Sequence, residues 1–394
     1  MADKKVRIGV IGHGNMGSGH VSNLLHGACP EATLTAVADI NPKKLESLKD
    51  VKGNFEGDPI KLYTDASEMI RSGDVDAVIV AVPHYDHPRY VIEALENGVH
   101  ALSEKPAGVY TQQVKEMNAV AEKHPELVFG MMFNQRTDPA YRKMKEIIDS
   151  GEMGQIRRTN WIITTWYRTQ SYYDSGDWRA TWSGEGGGVL LNQCPHQLDL
   201  FQWICGLPVK VMAKMQFGKW HDIEVEDDVT AFVEYENGAT GAFITTTGDT
   251  PGTNRFEVTL EYGKLVYENG KLRQLKLERS IDEYTYNKDS AAFGSPKVIF
   301  DDFVPCPGEN TQHVGILNSF AASILHGVPL IAPGVEGIRG LTLSNAMHLS
   351  QWLGREVEIP FDDQLYKDEL MKRVATSRRK TDVREQTVTQ WATK

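Results

Sequence analysis

The apolar run Val6–Ile11 ends on Gly12-His13-Gly14-Asn15-Met16-Gly17 and passes directly into a helical stretch. No other feature of the chain restricts its fold as tightly. A strand that turns through glycine into a helix is the opening unit of a doubly wound parallel sheet. Gly12 permits the tight turn, Gly14 lets a pyrophosphate approach the backbone, and Gly17 allows the helix to pack against the strand. The helix N-terminus then presents free N–H groups and the positive end of its dipole to phosphate. A second apolar run, Leu34–Asp39, closes on an acidic residue about 20 positions further on, where a carboxylate can hold both ribose hydroxyls. Asp39 would repel a 2′-phosphate, and Ile40 and Asn41 supply no arginine clamp. NAD is therefore expected over NADP, with Lys43 and Lys44 as the opposing signal.

The pattern continues through Ala77–Val82, Val99–Leu102 and Val128–Phe133, separated by the helical stretches His87–Asn97 and Thr111–His124. Continuous apolar strands alternating with helices predict a parallel sheet covered on both faces. After Asn134 and a helix over Pro139–Asp149, strand-like segments dominate: Ile156–Trp166, Val209–Phe217, Val229–Glu236, Ala239–Thr247, Phe256–Leu260 and Lys264–Tyr267. Short turns such as Asn237-Gly238 predict a large, mostly antiparallel sheet. Two helices follow, over Thr311–His326 and Glu336–Leu353. The expected organisation is an α/β chain of three parts: 1–134, a dinucleotide-binding domain; 135–366, a substrate-binding and oligomerisation domain; and 367–394, a charged tail open to three readings, a helix, an arm on a partner subunit or a disordered end.

Composition narrows the function. The 394 residues carry 42 Lys plus Arg against 53 Asp plus Glu, a net charge of −11, which disfavours nucleic acid and anionic membranes as partners. No apolar stretch is long enough to span a bilayer, and the N-terminus runs into a strand without a cleavable apolar segment. Cys29, Cys194, Cys205 and Cys306 are scattered without a paired spacing, as expected of reduced thiols in a cytoplasmic protein without a structural metal.

Glu104-Lys105-Pro106 follows the fifth strand, at the edge where parallel sheets bind ligands. A lysine there can bind an alcohol oxygen and stabilise the charge that develops on it. Gly186-Gly187-Gly188 leads into Asn192, His196 and Asp199, whose spacing places them on one face of a helix. Triple glycine signals that something approaches the backbone closely, and a histidine beyond it is a candidate acid/base group.

Together these segments resemble the Gfo/Idh/MocA oxidoreductase family of inositol dehydrogenases and glucose–fructose oxidoreductases. AVPHYDHPRYVIEALENGVHALSEKPAG is similar to its second landmark, and MMFNQRTDPAYRKMKEIIDSGEMGQI to its domain-crossing segment with Asn134 and Arg136. The resemblance implies a Rossmann domain followed by an α/β domain with a large open sheet, often packed face to face in dimers, tetramers or larger assemblies. It implies catalysis by Lys105 and His196, with Asn192 standing where many members carry aspartate. A neutral amide there can orient an imidazole but cannot favour its charged form. It also implies a cofactor lining of Asn15, Met16, Val82, Pro83, His87, Glu104 and Asn134, with Trp178-Arg179 near the nicotinamide.

Between Trp161 and Trp182 the aromatic density far exceeds the chain's 9%. Trp166, Tyr167, Tyr172, Tyr173 and Trp178 lie in this stretch, serving either as a stacking platform for a pyranose or as sheet and interface packing. Tyr167, Trp178 and His313 join Lys105, Asn192 and His196 as expected substrate contacts, while His84 and His87 shape the pocket or touch the nicotinamide. The expected activity is NAD-dependent oxidation of a secondary alcohol on a sugar, glycoside or cyclitol. The NQCPHQLD stretch resembles members acting at the 3-position of glucosides, some of which retain NAD between turnovers. The rivals are an NADPH-dependent keto- or anhydro-sugar reductase and a non-enzymatic NAD-binding regulator.

Overall fold

A computed structural model describes residues 5–53, 59–378, 380, 381 and 383. The first sheet comprises β1 (Val6–Ile11), β2 (Ala32–Ala38), β3 (Lys61–Tyr63), β4 (Ala77–Val80), β5 (His100–Ser103) and β6 (Phe129–Met131) in the order β3-β2-β1-β4-β5-β6. Every pairing in it is parallel. The chain winds outward in both directions from β1, so the carboxyl ends of β1 and β4 flank the switch point where such sheets bind ligands. The central strands are apolar on both faces because helices cover both: Ile8, Val10, Val78, Ile79 and Val80 are fully buried. Each such side chain contributes about 1.5–3 kcal/mol of burial.

The second sheet has nine strands: β7 (Ile156–Ile163), β8 (Lys210–Phe217), β9 (Glu226–Glu234), β10 (Thr240–Thr246), β11 (Asn254–Leu260), β12 (Gly263–Glu268), β13 (Lys271–Leu277), β14 (Val298–Phe303) and β15 (Val357–Glu358). Their order is β14-β13-β12-β11-β7-β10-β9-β8-β15, antiparallel except for the pair β10–β7. One face is core, where Trp161 stacks on Phe256 at 4.3 Å and meets Phe201 of the helix Pro195–Cys205. The other face exposes Met212 beside Phe232, and Ile162.

The crossing between the sheets is fixed by a buried charge. Arg136, in the short 3₁₀ turn Asn134–Thr137, donates to both oxygens of Asp199 at 2.7 Å and to Glu336 at 2.6 Å. Asp199, three residues after His196 on the helix Pro195–Cys205, is thereby tied to the segment that crosses between the sheets. The helix Gln312–His326 returns to the first domain, where Asn318 donates to the Ala28 carbonyl. The start of the expected tail is a docked helix, Asp363–Val374, with Tyr366 and Leu370 buried. Beyond it Ser377 donates to Glu224 at 2.6 Å, and Lys380 to the Tyr173 carbonyl at 2.8 Å. The expected arm or disordered end falls on 384–394, outside the described residues. Among the described residues no helix is long and apolar enough to cross a membrane.

Candidate active site

The glycine turn after β1 is built as its spacing requires. Gly12 has φ +93°, and a Cβ there would lie 2.5 Å from the Ala81 carbonyl oxygen. A Cβ on Gly17 would fall 1.8 Å from the Gly12 oxygen, so helix and turn touch backbone to backbone. Gly14 differs: a Cβ there would meet nothing within 4 Å. It is the N-cap of the helix Asn15–Leu25, which opens with Asn15 and Met16, has no side-chain cap and carries no acidic residue in its first turn. Space, free N–H groups and dipole thus coincide, and the residues present fit a dinucleotide pyrophosphate. Asp39 lies just past β2. Its two carboxylate oxygens accept from the His13 and Asn41 N–H groups, both at 2.8 Å, which fixes the carboxylate beside the turn. Lys44 Nζ stands 3.9 Å from it.

Beyond β5, Glu104 turns inward and is nearly inaccessible. His20 Nε2, from the glycine-motif helix, lies 2.7 Å from Glu104 Oε1, and the His20 ring meets His313 edge-on at 5.9 Å. Burial would raise the Glu104 carboxyl, but the His20 hydrogen bond and the charges of His20, His313 and Lys105 outweigh it and hold the group at about 2. Lys105 points the other way and donates from Nζ to the Asn192 carbonyl at 2.7 Å. Burial lowers its pKa, opposed by the charges of Glu104 and Glu185. His20 was not legible as a site residue, although its place three positions after Gly17 puts it on the motif helix.

The segment that brings up His196 departs from expectation. Asn192 and His196 do not share a face of one helix. Val189–Gln193 is a single π-helical turn, and the α-helix begins separately at Pro195. The Asn192 amide donates to Glu185 Oε1 and, at 3.3 Å, to the Tyr172 hydroxyl; it makes no hydrogen bond to the imidazole. His196 is buried and meets Phe133 edge-on, and its Nδ1 has no hydrogen-bond partner. Burial lowers its pKa well below the ordinary imidazole value, reinforced by Lys105 and His313 and opposed by Glu104. The imidazole is therefore neutral near pH 7 and competent to accept a proton.

What approaches the triple glycine is the protein itself. A Cβ on Gly186 would lie 2.3 Å from Val109, and one on Gly188 would lie 2.0 Å from the Glu226 carbonyl oxygen. The Glu226 carboxylate accepts from the Gly188 and Leu190 N–H groups at 2.8 and 3.0 Å, locking the turn onto β9.

His87 lies between two loops: its ring nitrogens stand 2.6 and 2.7 Å from the Pro106 and Val82 carbonyls, so it holds the loop ends after β4 and β5 together. Val82, half-buried, and Pro83, exposed, follow β4 on the same loop. Asn134 donates its amide to Gln312, while its Oδ1 is buried without a partner. His84 faces the Glu185 carbonyl and meets Trp178 edge-on at 6.0 Å. Arg179 lies over both the Trp178 and Tyr172 rings. The aromatic run splits: Trp161, Tyr173 and Trp182 are core, Tyr172 and Trp178 border the site, and Tyr167 is exposed beside Arg168. Tyr172 thus joins the site from the aromatic run, and Glu185 joins it unanticipated. The available signal for Glu185 was a lone carboxylate set within a glycine run, Gly184-Glu185-Gly186.

Residues 6–131 match the family model described as an oxidoreductase family with NAD-binding Rossmann fold, and residues 141–266 match the GFO/IDH/MocA C-terminal domain. The rhizopine catabolism protein MocA of Rhizobium meliloti is 27% identical over 202 residues, which are 51% of this chain and 58% of that protein, less than two thirds of its length. Myo-inositol 2-dehydrogenase of Thermotoga maritima is 26% identical over 272 residues, 67% of this chain and 75% of its own. Among solved structures, the WlbA dehydrogenase of Bordetella pertussis, in complex with NADH and UDP-GlcNAcA, has a TM-score of 0.74 at 22% identity. The match covers 92% of this chain and 100% of that one, a likeness of fold.

Proposed function

From the premise that this chain belongs to the GFO/IDH/MocA oxidoreductase family, we propose that it is an NAD-dependent dehydrogenase. Its substrate in this reading is a secondary alcohol on the ring of a sugar, glycoside or cyclitol. The supporting observation is that Lys105 and His196 lie within each other's field: an ammonium anchored 2.7 Å from the Asn192 carbonyl just past β5, and a buried imidazole whose pKa is lowered. A bound nicotinamide dinucleotide supplies the acceptor for the hydride that leaves the alcohol carbon.

The chain's own residues do the rest. Gly14 and the first turn of its helix would hold the pyrophosphate, with Asn15 and Met16 beside it. Asp39 would hold the ribose, and Val82, Pro83, Glu104, Asn134, Trp178 and Arg179 would line the nicotinamide side. Lys105 would hold the reacting oxygen and stabilise its developing negative charge. His196 would accept the hydroxyl proton, leaving a ketone on the ring. Asn192 would position Lys105 through its carbonyl. Tyr167, Trp178 and His313 would contact the substrate from the rim, with Tyr172 beside them. The buried Asp39 carboxylate supports NAD over NADP, retention of NAD between turnovers is part of the same reading, and the exposed Met212–Phe232 face supports self-association in a cytoplasmic homo-oligomer. The domain division at residue 134 is proposed on the same footing.

The test is a panel of myo-inositol, glucose, methyl glucosides and levoglucosan, mixed with protein and NAD or NADP and followed at the reduced-nicotinamide absorbance band. Turnover with NAD on at least one ring alcohol is expected. A silent panel from protein that still binds NADH would overturn the enzymatic reading and favour a dinucleotide-binding regulator.

A further inference from the structure

The carboxylate that position 192 lacks stands at position 185. Glu185 is buried, and both its oxygens accept hydrogen bonds: Oε2 from the Ala180 N–H at 2.6 Å, and Oε1 from the Asn192 amide. Hydrogen bonds donated to both oxygens favour the anion, against the burial that opposes its charge. The Asn192 backbone carbonyl, on the same residue, takes the Lys105 ammonium. Asn192 is thus held from both sides, its side chain by Glu185 and its carbonyl by Lys105.

We propose that Glu185 is the positioning residue of this active site: its carboxylate orients Asn192, and through it Lys105, and adds to the negative charge that Glu104 sets beside the buried ammonium. The proposal rests on the reading that Lys105 holds the reacting oxygen. Glu185 is faced by Arg179 and Lys105, with the His84 ring on its own carbonyl. Lys105 is faced by Glu104 and Glu185 on the negative side and by Arg168 and Arg179 on the positive side. The imidazoles of His84, His87 and His196 also lie within the field of Lys105. Glu104 is the larger negative charge on Lys105 and is fixed to His20; Glu185 is the second, and the one that also holds Asn192. Burial raises the Glu185 pKa, opposed by Arg179, the Ala180 N–H, Asn192 and Lys105.

The geometry also explains why position 192 is an amide. An aspartate there would set a second carboxylate against Glu185, and two such groups cannot both ionise in a buried site without cost. The charge belongs at one position or the other.

The test reads Lys105 directly, without substrate. Full-length protein with NADH bound is labelled with acetic anhydride across the alkaline range, and mass spectrometry of the Lys105 peptide gives the midpoint of its reactivity. Glu185→Gln is expected to lower that midpoint by about one pH unit and to reduce kcat more than it raises KM. The double variant Glu185→Gln/Asn192→Asp, which moves the single carboxylate to position 192, is expected to return the midpoint to its wild-type value and recover part of kcat. An unmoved midpoint in Glu185→Gln would overturn the proposal. If that variant does not fold, the double variant decides: a midpoint displaced downward overturns the proposal, and a wild-type midpoint supports it. A silent sugar panel would sink the dehydrogenase reading while leaving the Lys105 midpoint measurable, so the two failures are distinct.

Discussion

Two glycine-rich turns frame the active site, and they are built for opposite purposes. At Gly12–Gly17 the outer glycines are forced by backbone contacts, but the central one opens onto space that a Cβ would not fill. At Gly186–Gly188 each glycine is pressed by the protein itself, against Val109, Leu191 and the Glu226 carbonyl. The first turn is a cradle held open for a ligand; the second is a clasp closed on β9. A run of glycines reports close approach, and only the fold tells what approaches. The difference also separates two kinds of sensitivity, because substitution at the cradle's centre touches ligand affinity and substitution at the clasp touches the fold.

The largest expected effect is at the base of the cradle and at the clasp. Gly17→Ala drives a methyl group to 1.8 Å from a backbone oxygen, and Gly188→Ala to 2.0 Å. Neither neighbour is a flexible side-chain end, so each variant should lose at least about 1–3 kcal/mol of stability, read as a fall in thermal midpoint. Gly188→Ala should also lower turnover by displacing Asn192. Gly14→Ala is the contrasting case: its thermal midpoint should stay within the change expected of a surface substitution, about 0.5 kcal/mol, while NADH affinity by calorimetry falls. If Gly14→Ala unfolds the chain while Gly188→Ala leaves it intact, the distinction between cradle and clasp is broken.

A smaller effect sharpens the ligand side. Asp39→Ser should weaken NAD and improve NADP, since the carboxylate that selects ribose hydroxyls over phosphate is gone. Equal loss for both cofactors would show that Asp39 does not face the ribose. The smallest effect is on pH dependence. Burial holds the His196 pKa well below 6.5, so the neutral base survives into mildly acidic solution as pH falls. The acidic limb of kcat/KM should therefore lie below that of an ordinary imidazole and disappear in His196→Ala. A limb at or above pH 6.5 would point to another base.

The cradle was legible in the sequence because each glycine there answers to a neighbour close in the chain. Local spacing determines a βα turn, and Asp39 follows from the length of one strand–helix–strand unit. The clasp was not, because its partners are remote: Glu226 is on β9, and Val109 is in the first domain. Asn192 and His196 have helical spacing, and nothing local announces the π turn that separates them. Similarly, β13 is rich in Lys and Arg yet buries Leu272 and Gln274, and β14 is exposed throughout, so neither presents the apolar alternation that marked the other strands. His87 carried the family's pattern, but its place between two loop carbonyls depends on how the ends of β4 and β5 come together.

The central claim is that the cradle delivers its ligand to Lys105. The measurement that bears on it most directly is turnover by Lys105→Met on the best substrate of the sugar panel, alongside calorimetric NADH affinity. Turnover should fall by about a hundredfold to a thousandfold, as when a donor to a developing oxyanion is removed, with NADH affinity changed little. Turnover within tenfold of wild type, about 1.4 kcal/mol, would contradict the account.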